Sequence, residues 1–408
     1  MTKSSVLDEI DREIEEQKAP IAYVGRVGIL FFALPARDHG HTSVPTPNEF
    51  YDQLVAQLTS DARVKELRAP SSGENELRPE SFSAAGWRQG RTDGKPDGPH
   101  LHIHVASFRT PILMAINVPQ RLQPQDRGER GIPAEEYWVA WDGVQLLVLW
   151  DRNATEHSLG YYGGFAAMEI ISDALDELGL SPRNQPCGPY CKYPFAHQDL
   201  LVAPAADTSK VRLREEGRFT VRIDCPSEPD VLELAHRLSR SFSLTVNTFA
   251  KMRSFGDSVS GTEIKARREL ADLLQHQYEI ARTAAEPFIR SIRLRWKNRG
   301  LRRKMSKGVA RLWMHLATIE RNQRHCIEGR YIYDTSAQRQ GIGLIFKTEY
   351  PQFLNSIDTL EIDTLRATVE QLSMRVDTRI IAVATIAGAM SGALVGALVT
   401  LLRPSGAA

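Results

Sequence analysis

Three histidines alternate with apolar residues in the stretch His100-Leu101-His102-Ile103-His104-Val105-Ala106. On a β-strand successive side chains point to opposite faces, so His100, His102 and His104 share one face while Leu101, Ile103 and Val105 share the other. Three imidazoles on one face could bind a metal ion or transfer a phosphoryl group. Imidazole is a good nucleophile near neutral pH and leaves well from phosphorus. The remaining reading is a structural or surface strand that happens to carry histidines. A second grouping is Cys187, Cys191 and His197 in CGPYCKYPFAH. A zinc site could use that spacing, but no clear fourth ligand is nearby, so ordinary buried thiols are expected and no metal is assigned.

The histidine stretch resembles the His-φ-His-φ-His-φ-φ signature of the histidine-triad nucleotide hydrolases and transferases. Upstream, Gly40-His41-Thr42 followed by Val44-Pro45 is similar to that family's Gly-His-x-x-Val-Pro stretch. The resemblance covers residues 30–107, and Lys95-Pro96-Asp97-Gly98-Pro99 replaces the family's usual lead-in. It implies His102 as nucleophile on a nucleotide α-phosphate. It also implies that His100 and His104 orient it and bind phosphate oxygens, with His41 nearby. No Walker loop, Gly-x-Ser-x-Gly elbow or dinucleotide fingerprint is present, so no cofactor is assigned.

The elements that would position these residues lie in residues 1–225. Ile21–Leu34 is apolar and strand-like, Pro47–Leu67 has a helical pattern, and His100–Ser107 alternates. Pro111–Val118 is apolar, and Tyr137–Trp150 breaks at Asp142-Gly143, a hairpin turn signal. Gly164–Leu178 has a helical pattern, and Val211–Ile223 fits a hairpin around Glu216-Gly217. Ser71–Pro99 and Gln123–Pro133 read as surface loops. These patterns predict an α+β domain with a mixed sheet.

Residues 226–355 read as a helical domain. Val231, Leu234, Leu238, Phe242 and Leu244 keep helical spacing within Glu228–Ser254. Gly256 and Gly261 are read as a break, with a second helix over Thr262–Trp296 interrupted at Pro287, and Gly300 and Gly308 punctuating a third. Residues 290–311 hold ten basic residues and no acid. Arg293, Arg295, Arg302, Arg303 and Lys304 are candidates for contact with anionic lipid or another polyanion. A solvated helix face is the alternative.

Residues 356–379 carry Ile362, Leu365, Val369, Leu372 and Val376 at alternating spacings of three and four. That is the seam of a short coiled-coil stalk, or of a helix packed within its own chain. Residues 380–402 (IIAVATIAGAMSGALVGALVTLL) contain no charge over 23 residues. At about 1.5 Å per residue they would span roughly 35 Å, which predicts a transmembrane helix. Ala384, Gly388, Gly392 and Gly396 recur every four residues and would form a stripe for self-association. The stripe resembles the glycine-zipper helices of oligomeric membrane proteins. More arginines precede the span than follow it, and the N-terminus shows no secretory signal, so the N-terminal domain is expected in the cytoplasm.

The formal net charge is +1, which selects no nucleic acid. Four cysteines in 408 residues make no disulfide framework. The leading expectation is a tail-anchored, single-pass, homo-oligomeric membrane protein. It would be a sensor, effector or scaffold whose cytosolic domain binds a nucleotide or protein ligand. The alternative is a membrane-anchored histidine-triad-like phosphohydrolase. A further one is ion transport, since the layout resembles CorA-type transporters, although their second membrane helix and Gly-Met-Asn motif are missing.

Overall fold

The computed structural model describes residues 19–32, 47–75, 77–83, 102–117, 119, 135–152, 164–180, 182–184, 195–284 and 299–373. Strand β1 (Tyr23–Phe32) is buried at every position after the first. Both its faces are therefore covered, and the rest of the sheet is built outward from it. The strands β2 (Val64–Arg68), β5 (Ile112–Asn117), β6 (Glu136–Trp141), β7 (Gln145–Asp151), β9 (Asp199–Ala205), β10 (Arg212–Gly217) and β11 (Thr220–Pro226) join it. Their order is β10-β11-β9-β1-β7-β6-β5-β2, and β8 (Pro182–Asn184) pairs with the far end of β1. The β9–β11 pair is parallel and the other pairings are antiparallel, so the sheet is mixed.

One face of the sheet is covered by α1 (Pro47–Ser60) and α2 (Phe165–Glu177). Phe50, Leu54 and Leu58 of α1 and Ile170, Ile171 and Leu175 of α2 share a core with Leu146, Val148 and Trp150 of β7. The other face takes the first part of α3 (Val231–Ala284), the end of α4 (Arg299–Gln338), a 3-10 turn (Arg339–Phe346) and α5 (Glu349–Asp358). There Leu238, Phe242, Val246 and Phe249 meet Leu147 and Leu149 from the opposite side of β7. Such two-sided burial explains why β7 reads as an unbroken apolar run rather than an alternating one.

A separate two-stranded sheet pairs β3 (Leu77–Ser83) with β4 (His102–Phe108). Strand β3 falls inside Ser71–Pro99, which is expected from sequence to be a surface loop. Its composition, LRPESFS, carries little strand preference. The strand exists because β4 supplies its backbone partners across seven paired positions and because Phe82 is buried in the core.

The chain divides into two compact units, Met1–Ser258 with Gln323–Asp358, and Val259–Asn322 with Thr359–Ala408. The sheet and its covering helices make the first. In the second, Val259, Ala266 and Leu273 of α3 share a core with Leu312, Leu316 and Ile319 of α4. Ile362, Leu365, Val369 and Leu372 belong to that same core, on a helix over residues 362–373 that we label α6. Four of the five seam positions are thus buried within their own unit, and Val376 lies outside the described residues.

The expected break at Gly256 and Gly261 does not occur: α3 runs through both. Glycine costs a helix interior about 1 kcal/mol relative to alanine. Packing offsets it, because a Cβ at Gly256 would stand 2.4 Å from Phe353 of α5. Helix α4 likewise runs through Gly308, where a Cβ would meet Leu273 at 2.6 Å. These glycines permit close approach instead of ending the helix.

The membrane reading is corrected. Among the described residues no helix is long and apolar enough to cross a membrane. The long helices α3 and α4 carry charges throughout, including Arg311, Glu320, Arg324 and Glu328 on α4, and hydrocarbon would have to desolvate them. Residues 380–402, with Ala384, Gly388, Gly392 and Gly396, lie outside the described residues. The tail-anchored topology, the lipid partner, the membrane localisation with its cytoplasmic N-terminal domain, and the oligomeric membrane sensor or transporter therefore have no described helix to rest on.

Candidate functional site

A cleft of about 570 Å³ opens in the first unit, where β4, the β6–β7 turn, α3 and the end of α4 converge. That volume lies in the usual range for small-molecule sites. Asp142, the first residue of the turn Asp142-Gly143-Val144, lines the cleft. Gly143 has φ +87°, and a Cβ there would lie 2.4 Å from the carbonyl oxygen of Ala106 on β4. The turn is held on β4 by the Phe108 amide, which donates to the Asp142 carbonyl at 2.7 Å, and on β1 by the Leu30 amide, which donates to the Val144 carbonyl at 2.8 Å.

Asp142 is the buried polar centre of this arrangement. Its Oδ1 accepts from the backbone amides of Val144 (3.0 Å) and Gln145 (2.6 Å). Its Oδ2 accepts from the Ser243 hydroxyl at 2.9 Å and from Asn247 Nδ2 at 3.3 Å. Burial pushes the carboxyl above the usual carboxylate range, against the pull of those four donors. Helix α3 presents Ser239, Ser243 and Asn247 at four-residue spacing, one above the other. Ser239 receives Gln145 Nε2 at 3.2 Å on its hydroxyl.

Cations surround the opening. Arg78 sits on β3 opposite Ser107, and Arg109 follows β4 directly. The next residue, Thr110, is clamped by buried Asn75, which accepts from its amide at 2.9 Å and donates to its carbonyl at 3.0 Å. Asn75 Nδ2 also reaches the Tyr51 hydroxyl at 2.9 Å, tying this corner to α1. Arg240 and Lys251 come from α3, and His325 and Glu328 from α4. His325 stacks on Phe255 with ring centroids 4.6 Å apart. Arg78, Arg109 and Arg240 form no ion pair among the described residues. Elsewhere on this unit arginines do find carboxylates, as Arg63 does with Asp61 and Asp173 at 2.7 Å each. Apolar walls are supplied by Phe108, Leu244, Met252 and Ile332. Helices α3 and α4 run antiparallel here. Thr245 bonds Ser336 at 3.0 Å, and a Cβ on Gly329 would press on Met252 at 2.5 Å.

The residues singled out from the sequence fall differently. His102 and His104 lie on β4, two positions apart, with their side chains outside the described residues, as are His41 and His100. The far end of the same strand supplies Ser107 and Phe108 to the cleft. Cys187 and Cys191 lie outside the described residues, while His197 Nδ1 stands 2.8 Å from buried Glu349. Among the described residues no group of three histidine, cysteine or acidic side chains could hold a metal ion. Arg293 and Arg295 are not described, nor are the side chains of Arg302 and Arg303 on α4, and Lys304 is exposed.

Sequence reasoning found the Asp142-Gly143 turn but not the cleft. Arg78, Arg109 and Arg240 are each ordinary surface cations in the sequence, separated by up to 162 positions. No spacing rule joins them. No family model, curated protein or solved structure matches the chain.

Proposed function

We propose that the α+β unit binds a small ligand through an anionic group, phosphate or carboxylate, in the cleft over Asp142. The observation that carries this is the set of three arginines, Arg78, Arg109 and Arg240, that line one cleft and have no carboxylate partner among the described residues. Guanidinium groups match the oxygen geometry of phosphate and carboxylate and hold it with charge-assisted hydrogen bonds. Ser239, Ser243 and Thr248 add hydroxyls along the wall, and Leu244 and Ile332 accept an apolar part of the ligand. The test is thermal unfolding of the full chain with sulfate, pyrophosphate, citrate and ATP as probes. At least one should raise the midpoint through preferential binding to the folded state. Arg109→Ala and Arg240→Ala should each weaken that binding about fivefold or more. If none of the four probes shifts the midpoint, the reading fails.

The histidine strand supports a second reading, a nucleotide phosphohydrolase of the histidine-triad kind. What favours it is that residues 102 and 104 share one β-strand at the spacing the motif requires. Turnover of nucleoside phosphoramidates by the full chain, abolished in a folded His102→Ala variant, would support it. Absence of turnover by the unaltered chain removes it.

A further inference from the structure

We propose that the cleft takes up its anion together with one proton, and that Asp142 carries that proton. The inference rests on the anion-binding reading and adds its regulation. Asp142 lines the same cleft as the three arginines. From its own turn it faces the amides of Val144 and Gln145, and from α3 the hydroxyl of Ser243 and the amide of Asn247. The charged and titratable groups that line the cleft with it are Arg78 on β3, Arg109 beyond β4, Arg240 and Lys251 on α3, and His325 and Glu328 on α4. None of them makes an ion pair with Asp142. An anion seated among the arginines would share the cleft with the Asp142 carboxylate and repel its charge. In a poorly solvated surrounding that repulsion favours the protonated acid.

The neighbouring amide is suited to receive that proton. Among the described residues Asn247 Oδ1 is buried without a hydrogen-bond partner, and its Nδ2 makes only the 3.3 Å contacts to Asp142 and Ser243. The two ends of an amide occupy nearly the same volume. Turning it by a half-rotation would point the carbonyl oxygen at Asp142, where only a protonated carboxyl could donate to it. One orientation of Asn247 serves the ionised carboxyl and the other serves the acid. The proton comes from bulk water and returns there on release, so nothing is oxidised or reduced. Because coupling is reciprocal, protonation must tighten anion binding by the same factor as the anion favours protonation.

The test is calorimetric titration of the full chain with sulfate, which keeps its charge across the range from about pH 5 to about pH 9. Proton uptake is read from the difference between buffers of unlike ionisation heat. We expect uptake approaching one proton per sulfate. We also expect an affinity that falls by up to about tenfold per pH unit once Asp142 ionises in the free protein. In Asp142→Asn, binding should persist without this slope. Flat affinity and no uptake in the unaltered chain would overturn the proposal while leaving anion binding intact. Uptake that survives in Asp142→Asn would overturn it too, by placing the proton elsewhere. If Asp142→Asn does not fold, His325→Ala takes its place: uptake lost there would overturn the proposal by placing the proton on the cleft's imidazole, and uptake retained there supports it. Absence of sulfate binding at every pH overturns it as well, and the other probes then judge the anion reading separately.

Discussion

The Ser243 hydroxyl donates to Oδ2 of Asp142 at 2.9 Å, joining α3 to the β6–β7 turn across 101 positions of sequence. The bond links a helix on one side of the sheet to the hairpin turn whose Asp142 lines the cleft. Among the described residues the only other side-chain donor to that oxygen is Asn247, at 3.3 Å.

Removing that hydroxyl should therefore be felt. Ser243→Ala leaves a buried carboxyl oxygen poorly satisfied, which costs about 1–3 kcal/mol. Urea unfolding of the variant beside the unaltered chain measures it. A loss below about 0.5 kcal/mol would mean that Asn247 or water replaces the donor.

The pH dependence of stability has a definite sign. Burial raises the Asp142 carboxyl above its ordinary value, so the folded chain holds this proton more tightly than the unfolded chain. Its contribution is fully present below the ordinary carboxylate value and is lost as pH rises through the raised folded value. Asp230 acts in the opposite sense. It caps α3 by accepting from the Glu233 amide at 2.9 Å, and that bond holds its carboxyl below the usual range. Its contribution is present above the ordinary value and is lost as pH falls through the depressed one. Comparing unfolding midpoints of Asp142→Asn and Asp230→Asn with the unaltered chain across the acid range should show differences that trend in opposite directions.

Gly143 tests the turn itself. Alanine there would adopt an unfavourable φ of +87° and push its Cβ against the Ala106 carbonyl. Gly143→Ala should destabilise the first unit by about 1–3 kcal/mol from backbone strain alone. It should also weaken anion binding, because the turn is bonded to the end of β4, beside Arg109. A variant as stable as the parent would show that the turn can relax.

In the second unit, Leu365 is 2% exposed within the core shared by α3, α4 and α6. Leu365→Ala should cost about 2–5 kcal/mol as a cavity substitution. The effect should be independent of protein concentration, since the seam is filled by the chain's own helices. A loss of stability that disappears at high concentration would point to a partner copy instead.

Cys225 and Cys326 are both buried, and burial pushes each thiol up to about 12. The thiolate is the reactive form, so neither should be alkylated by iodoacetamide in the folded chain at neutral pH. Mass spectrometry of peptides labelled before and after unfolding checks this. Rapid labelling of either one in the folded state would contradict its burial.

Local chemistry made much of the fold legible. Asp142-Gly143 reads as a turn because glycine alone among common residues accepts its φ without strain, and the apolar runs on either side become β6 and β7. The hairpin of β10 and β11 is also legible from its turn residues, although Gly217 takes no positive φ there. Glycines 256 and 308 misled, since in sequence a helix breaker and a site of close packing look alike. Only the residue across the contact, Phe353 or Leu273, distinguishes them. Strand β3 stayed hidden because its stability comes from β4 and from the burial of Phe82, not from its own composition. The cleft belongs wholly to tertiary structure. A short turn can be inferred from dihedral preference within four residues. Bringing Arg78, Arg109, Asp142, Arg240 and Glu328 to one opening needs strand pairing and the antiparallel contact of α3 with α4. These are long-range packing choices that no local pattern encodes.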